Sequence, residues 1–133
     1  MAIRYIIDTH TLLWYIANNP LLGSNAGLVL DDPGSILVLP AIALAEACFI
    51  IERGKVSLTL ADLLSAIDSD LRITFIPLDR AIIERTATLT TIGEMHDRQI
   101  VATALILVEQ GETVAVLTKD NNITTSGVVP VVW

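Results

Sequence analysis

The sequence predicts an α/β fold built on a parallel sheet. Two observations lead there. Short apolar runs of strand length recur along the chain, and helical patterns separate them. A third sets the scale. The chain has 133 residues with 53% hydrophobic side chains, which suits one domain, residues 1–133, with a sizeable core.

Tyr5-Ile6-Ile7 is the first strand-like run, and it ends abruptly at Asp8-Thr9, a helix N-cap signal. Leu12, Leu13, Tyr15 and Ile16 then give a helical pattern that stops at Asn18-Asn19-Pro20. Ser24-Asn25 can cap a second short helix carrying Ala26, Leu28, Val29 and Leu30, and Asp31-Asp32-Pro33-Gly34 reads as a turn. Ile36-Leu37-Val38-Leu39 is a continuous apolar run, as expected of a strand buried on both faces. Pro40 starts a helix reaching about Glu52 and stopping at Gly54, and Leu60–Asp68 is another. Ile73–Ile76 is a third strand, and Asp79 caps a helix through about Leu89. A long helix runs from about His96 to Glu109 and ends at Gly111. Val114–Leu117 is a fourth strand, and Val128–Val132 a fifth that Pro130 interrupts.

Composition excludes some classes. The most apolar stretch, Ile36–Ile51, is broken by Pro40 and Glu46 and falls short of the ~18 uninterrupted residues of a membrane span. Asp8 arrives before the apolar core of a signal peptide could form, so the expected setting is the cytoplasm. Cys48 is the single cysteine and reads as a reduced core residue. The net charge of −7 is unusual for a nucleic-acid binder.

Most of the fifteen acidic residues read as solvated surface charge, Asp31, Asp32, Asp62, Asp68, Asp70, Glu109 and Glu112 among them. Four do not. Asp8 follows a strand directly, and Asp120 follows Val114–Leu117 after Thr118-Lys119. Parallel sheets bind ligands at the carboxyl ends of their strands, although Asp8 could only cap its helix and Asp120-Asn121-Asn122 could be only a turn. Glu46 lies in a helix that is apolar nearly all round, so burial is expected. A buried carboxylate needs a cation: a salt bridge to Arg98 or Arg53, or a metal. Asp97 opens the long helix, where the helix dipole alone would favour it. Several carboxylates can place a hard cation such as Mg²⁺, and such an ion promotes phosphodiester hydrolysis without a covalent nucleophile. No Ser/His/Asp or Cys/His set stands out, and His10 and His96 are too few for a His-rich zinc site.

Four segments, in order, resemble the PIN-domain family, and within it the VapC-type toxins of toxin–antitoxin pairs. They are Ile6-Ile7-Asp8-Thr9-His10-Thr11-Leu12-Leu13-Trp14; Ala45-Glu46 with Ile50-Ile51-Glu52-Arg53-Gly54-Lys55; Met95-His96-Asp97-Arg98-Gln99-Ile100-Val101-Ala102-Thr103-Ala104; and Val116-Leu117-Thr118-Lys119-Asp120 with the closing Val131-Val132-Trp133. The resemblance implies a PIN-like three-layer α/β/α sandwich with a four- or five-stranded, mostly parallel sheet. It implies Mg²⁺ or Mn²⁺ held by Asp8, Glu46, Asp97 and Asp120, with Thr118 and Thr9 in support and Arg98 structural, paired to a carboxylate. It further implies endoribonuclease activity, a homodimer and a cognate antitoxin. Arg4, Arg53, Lys55 and Lys119 are candidates for RNA backbone contacts, with ordinary surface charge the simpler reading of each, and His96 is either a substrate contact or, more simply, a helix-start residue. Two departures stand out. Glu94 occupies the region where many relatives carry an extra acid, and Asn121 follows Asp120 where some carry another, which puts a second metal in doubt.

Two other functions compete. A phosphatase of the haloacid-dehalogenase type would use Asp8 as nucleophile, but wants an acid two residues on, where His10 stands. A non-catalytic PIN-like module would only dock a partner, and four retained acids argue against it.

Overall fold

Alternation within the strands sets the architecture. The computed structural model describes residues 2–133. β1 (Ile3–Ile7), β2 (Ile36–Pro40), β3 (Ile73–Ile76), β4 (Thr113–Leu117) and β5 (Val131–Val132) form one five-stranded sheet in the order β3-β2-β1-β4-β5. Every pairing is parallel. Ile6 is level with Val38 on one side and with Val116 on the other. Those three side chains point into one apolar cluster, with Ile82, Ile92, Ile100, Val101 and Ile123. Their neighbours Ile7, Leu37, Leu39 and Leu117 point into a second, with Leu12, Leu13, Leu30, Ala43, Ala47 and Leu63. This two-residue period sends alternate side chains to opposite faces.

Helices cover both faces. α1 (Thr9–Ile16), α2 (Ser24–Asp31), α3 (Ala41–Glu52) and α4 (Leu60–Ser69) supply the second cluster; α5 (Arg80–Thr86), α6 (Met95–Glu109) and α7 (Asn121–Ser126) supply the first. The result is the expected three-layer α/β/α sandwich, with five strands and no antiparallel pair. The chain runs β1, β2, β3 outward to one edge, then crosses back to place β4 on the other side of β1. The switch point of the sheet therefore lies between the carboxyl ends of β1 and β4.

Four local expectations need correction. α3 is not mostly buried. Only Ala43 and Ala47 are, and Phe49 is 55% exposed. The small residues sit deepest, while Ile42, Leu44, Cys48, Ile50 and Ile51 are only partly buried where they pack against the two apolar clusters. Asp120-Asn121-Asn122 is not just a turn but the start of α7, which closes on Gly127 at φ +64. β5 is only Val131–Val132, and Pro130 before it uses just its carbonyl, which accepts from Val116 N. α5 ends at Thr86 rather than Leu89, because the chain passes into successive turns in which Thr86 and Thr88 hydroxyls donate to Ile83 and Arg85 carbonyls. Among the described residues, no helix is long and apolar enough to cross a membrane.

Candidate active site

β1 delivers Asp8 to the switch point, 8% exposed. Its Oδ1 accepts from the N–H of Thr9 at 2.7 Å, so it does cap α1. Its Oδ2 accepts from the Thr118 hydroxyl at 2.5 Å. Thr118, fully buried just past β4, also accepts from the N–H of Asp120 at 3.0 Å. One hydroxyl thus ties together the loops that follow two adjacent strands. Asp120 caps α7 by accepting from Asn122 N at 2.7 Å. The Asn122 side-chain amide then donates to Asp97 Oδ2 at 3.2 Å.

Asp97 is 7% exposed in the first turn of α6. Its N–H donates to Glu94 Oε2 at 2.9 Å, which makes Glu94 the N-cap of α6. Glu94 Oε1 lies 3.6 Å from His96 Nδ1, and the same nitrogen is 2.9 Å from Glu46 Oε2. Glu46 Oε1 accepts from the Thr9 hydroxyl at 2.9 Å. The chain of contacts therefore returns to its start. Asp8, Asp120, Asp97 and Glu46 are joined in one circuit through Thr118, Asn122, Glu94, His96 and Thr9.

The structure brings together all four acids singled out in the sequence, yet for Glu46 the reasoning was off. Its side chain is 29% exposed, and it pairs with His96 rather than with Arg53 or Arg98. Arg98 Nε donates to the Ile92 carbonyl at 2.5 Å and not to a carboxylate. Arg4 pairs with Glu112 at the amino ends of the strands, away from the acids. Arg53 stacks over Phe49 near the end of α3. Lys119 lies over the Trp14 ring beside the site. His96 is held by Glu46. Asn122 and the cap made by Glu94 were missed. The spacing of Glu94 to Asp97, a cap residue and its third neighbour, is the signal that could have found the second.

Electrostatically Asp8 and Asp97 are governed by desolvation and by the other acids. Burial raises the Asp8 carboxyl above the ordinary range, the hydrogen bonds from Thr118 and Thr9 oppose this, and repulsion from Asp120 and Glu46 adds to it. Burial pushes Asp97 up to about 7, against the bond from Asn122 and with repulsion from Asp120, Glu94 and Asp8. No Lys or Arg is among the groups that move either acid. Such a site favours taking up positive charge, as protons or as a cation. The four carboxylates offer oxygen atoms, the kind of donor that suits a hard divalent ion. Among the described residues, no three His, Cys, Asp or Glu side chains stand as they are in position to hold a metal ion. Mg²⁺ needs fewer, since it commonly binds one or two carboxylates and keeps several waters. The 3.2 Å bond from Asn122 to Asp97 lies at the long end of the usual range.

An α/β/α sandwich with a carboxylate circuit at its switch point is the class these features define. Comparison with solved structures gives the particular fold. A chain of VapBC2 from Rickettsia felis, bound to a DNA fragment from its promoter, matches at TM-score 0.68 and 16% identity, over 98% of both chains. VapC20 from Mycobacterium tuberculosis, a toxin that cleaves the sarcin–ricin loop, matches at TM-score 0.67 and 11% identity over 92% of this chain and 95% of its own. A chain of FitAcB from Neisseria gonorrhoeae matches at TM-score 0.63 and 19% identity over 96% and 95%. The fold is thus the PIN-like fold of VapC-type proteins over nearly the full length. No family model matches the sequence, and no curated protein does.

Proposed function

We propose that this chain is a divalent-metal-dependent endoribonuclease, the toxin of a type II toxin–antitoxin pair. One observation carries the reading: Asp8, Asp97, Asp120 and Glu46 meet beyond the carboxyl ends of the strands, joined in one circuit of polar contacts. The fold shared with VapC and FitAB chains supports it, one of them a toxin that cleaves RNA.

Asp8, Asp97 and Asp120 are the groups that would hold Mg²⁺ or Mn²⁺, directly or through water. Such an ion supplies Lewis acidity, neutralising phosphodiester charge and making water a stronger acid. Thr118 keeps one Asp8 oxygen aimed by donating to it. Glu46 has both oxygens fixed, by Thr9 and by His96, so it can orient the attacking water and accept its proton. Water oxygen then bonds to phosphorus as the bond to the leaving oxygen breaks, and the leaving oxygen takes up a proton from solvent. A cognate antitoxin would silence the site. A homodimer would cover apolar surface such as Phe49 and Met95, which are 55% and 60% exposed. The expected setting is the cytoplasm.

The test is cleavage of a cellular RNA pool by the purified protein, with 5′ ends mapped. Cleavage should require Mg²⁺ or Mn²⁺, stop in EDTA, and fall at least ~100-fold in Asp8→Asn. A phosphorylated Asp8 trapped from a phosphate ester would instead establish the phosphatase chemistry. Intact RNA under every metal condition would leave only a docking role.

A further inference from the structure

Beside Asp8 and Asp120 lies a second group of side chains that hydrolysis does not use. His10 and Trp133 both pack against Trp14, their rings tilted to it by 51° and 60°. The His10 and Trp14 ring centroids are 5.4 Å apart, and those of Trp14 and Trp133 are 5.8 Å apart. Lys119 Nζ lies 5.7 Å from the Trp14 centroid. With Asp8, Thr11 and Asp120 these residues line an open cleft of about 300 Å³, at the lower end of ligand-sized clefts. The group is held from behind. α1 is anchored in the core by Leu12 and Leu13, which leaves Trp14 half-buried at the cleft. Trp133 packs so closely on Gly23 that a Cβ there would lie 2.6 Å from its backbone carbon. Asn25 Nδ2 donates to the Trp133 carbonyl at 2.9 Å.

We propose that this group of rings is a stacking platform for an unpaired nucleobase of single-stranded RNA, next to the phosphate that reaches the carboxylates. The inference rests on the nuclease reading and names what holds its substrate. The chain carries −7, and Lys119 is the one Lys or Arg lining the cleft. Backbone attraction by basic charge, the usual source of affinity, is therefore weak here. Stacking on aromatic faces supplies affinity without a basic surface and tolerates any base. The base must be unpaired, because a paired base keeps its faces inside the duplex. Lys119 is exposed, and an exposed cation–π contact is weak. It leaves the ring for a phosphate as the base arrives.

Trp14 and Trp133 are the only tryptophans and both line the cleft, so selectively excited tryptophan emission reports on this place. The wild-type protein is titrated with a single-stranded RNA oligomer in EDTA, and again with Mg²⁺. The base-bearing oligomer should quench the emission. An abasic oligomer of equal length and a duplex of the same sequence should not. Trp14→Ala should weaken binding by roughly 5- to 100-fold with the salt slope retained, raising KM more than it lowers kcat, and Trp14→Phe should keep most of the affinity. Lys119→Ala should instead flatten the log–log salt dependence by about 0.7. Equal quenching by abasic and base-bearing oligomers overturns the platform, and so does RNA cleavage whose KM ignores Trp14→Ala; both leave the nuclease standing. Quenching specific to unpaired bases without any metal-dependent cleavage removes the nuclease and upholds the stacking site.

Discussion

Asp97 is held where ionisation is unfavourable, and this has a direct consequence for stability. Its carboxyl titrates near 7 in the folded protein against an ordinary value of 3.8. Between those values the folded state binds more protons than the unfolded chain. Metal-free stability must therefore fall as pH rises from about 4 to about 7. Asp8 is shifted in the same direction. Asp97→Asn removes the charge and should raise stability in EDTA at pH 8 by on the order of 1–3 kcal/mol, while abolishing stabilisation by Mn²⁺. Thermal melts at pH 5 and pH 8 check this: the gain should shrink at pH 5, where the wild-type group is already protonated. At this scale the sequence was partly legible. Asp8 and Asp120 could be read from their places just beyond strands. Glu46 drew attention through an expected burial that is not there, and its partner His96, fifty residues away, could not be read at all.

At the element scale, Arg72 joins what the sequence lists apart. Its guanidinium donates twice to Asp70, at 2.9 and 2.8 Å, and also to the Leu30 and Asp32 carbonyls at the end of α2. Asp70 is thus no idle surface charge. Its bonds to Arg72 hold its carboxyl below the ordinary range. That contribution is present above about pH 4 and is lost as pH falls below it. Arg72→Ala should cost about 2 kcal/mol in urea unfolding and should blunt this loss at low pH. Gly23 shows a different dependence. A Cβ there would meet Trp133 at 2.6–2.7 Å. Gly23→Ala should destabilise by about 1–3 kcal/mol and shift the tryptophan emission as Trp133 is displaced. The ends of most elements were legible because caps are local: Asp79 caps α5 and Gly111 sits at φ +89 just past α6. α7 was missed because Asx turns and short helices begin with the same residues, and packing of Ile123 into the core decides between them.

For the whole molecule, the acidic balance and the site's repulsion act together. Both Asp97 and the net charge of −7 disfavour the metal-free fold as pH rises. A cation bound at the carboxylates stabilises by mass action, by about 2.7 kcal/mol at a concentration of one hundred times Kd. Millimolar Mn²⁺ should therefore raise the wild-type Tm by several degrees at pH 7.5, and EDTA should reverse it. An unmoved melting temperature would remove the metal from the site.

The sequence by itself determined the class of fold and the places of Asp8 and Asp120 just beyond two strands. Hydrophobic periodicity and caps are local, and an acid at a strand's end is where parallel sheets open to ligands. Only the tertiary structure decided the strand order, which makes β1 and β4 neighbours and lets Thr118 bind Asp8 across 110 positions. It also decided that Glu46 meets His96, that Asn122 reaches Asp97, and that Trp133 comes to rest against Trp14. Each of these joins residues far apart in the chain, and such contacts follow from how layers pack, which no local pattern records.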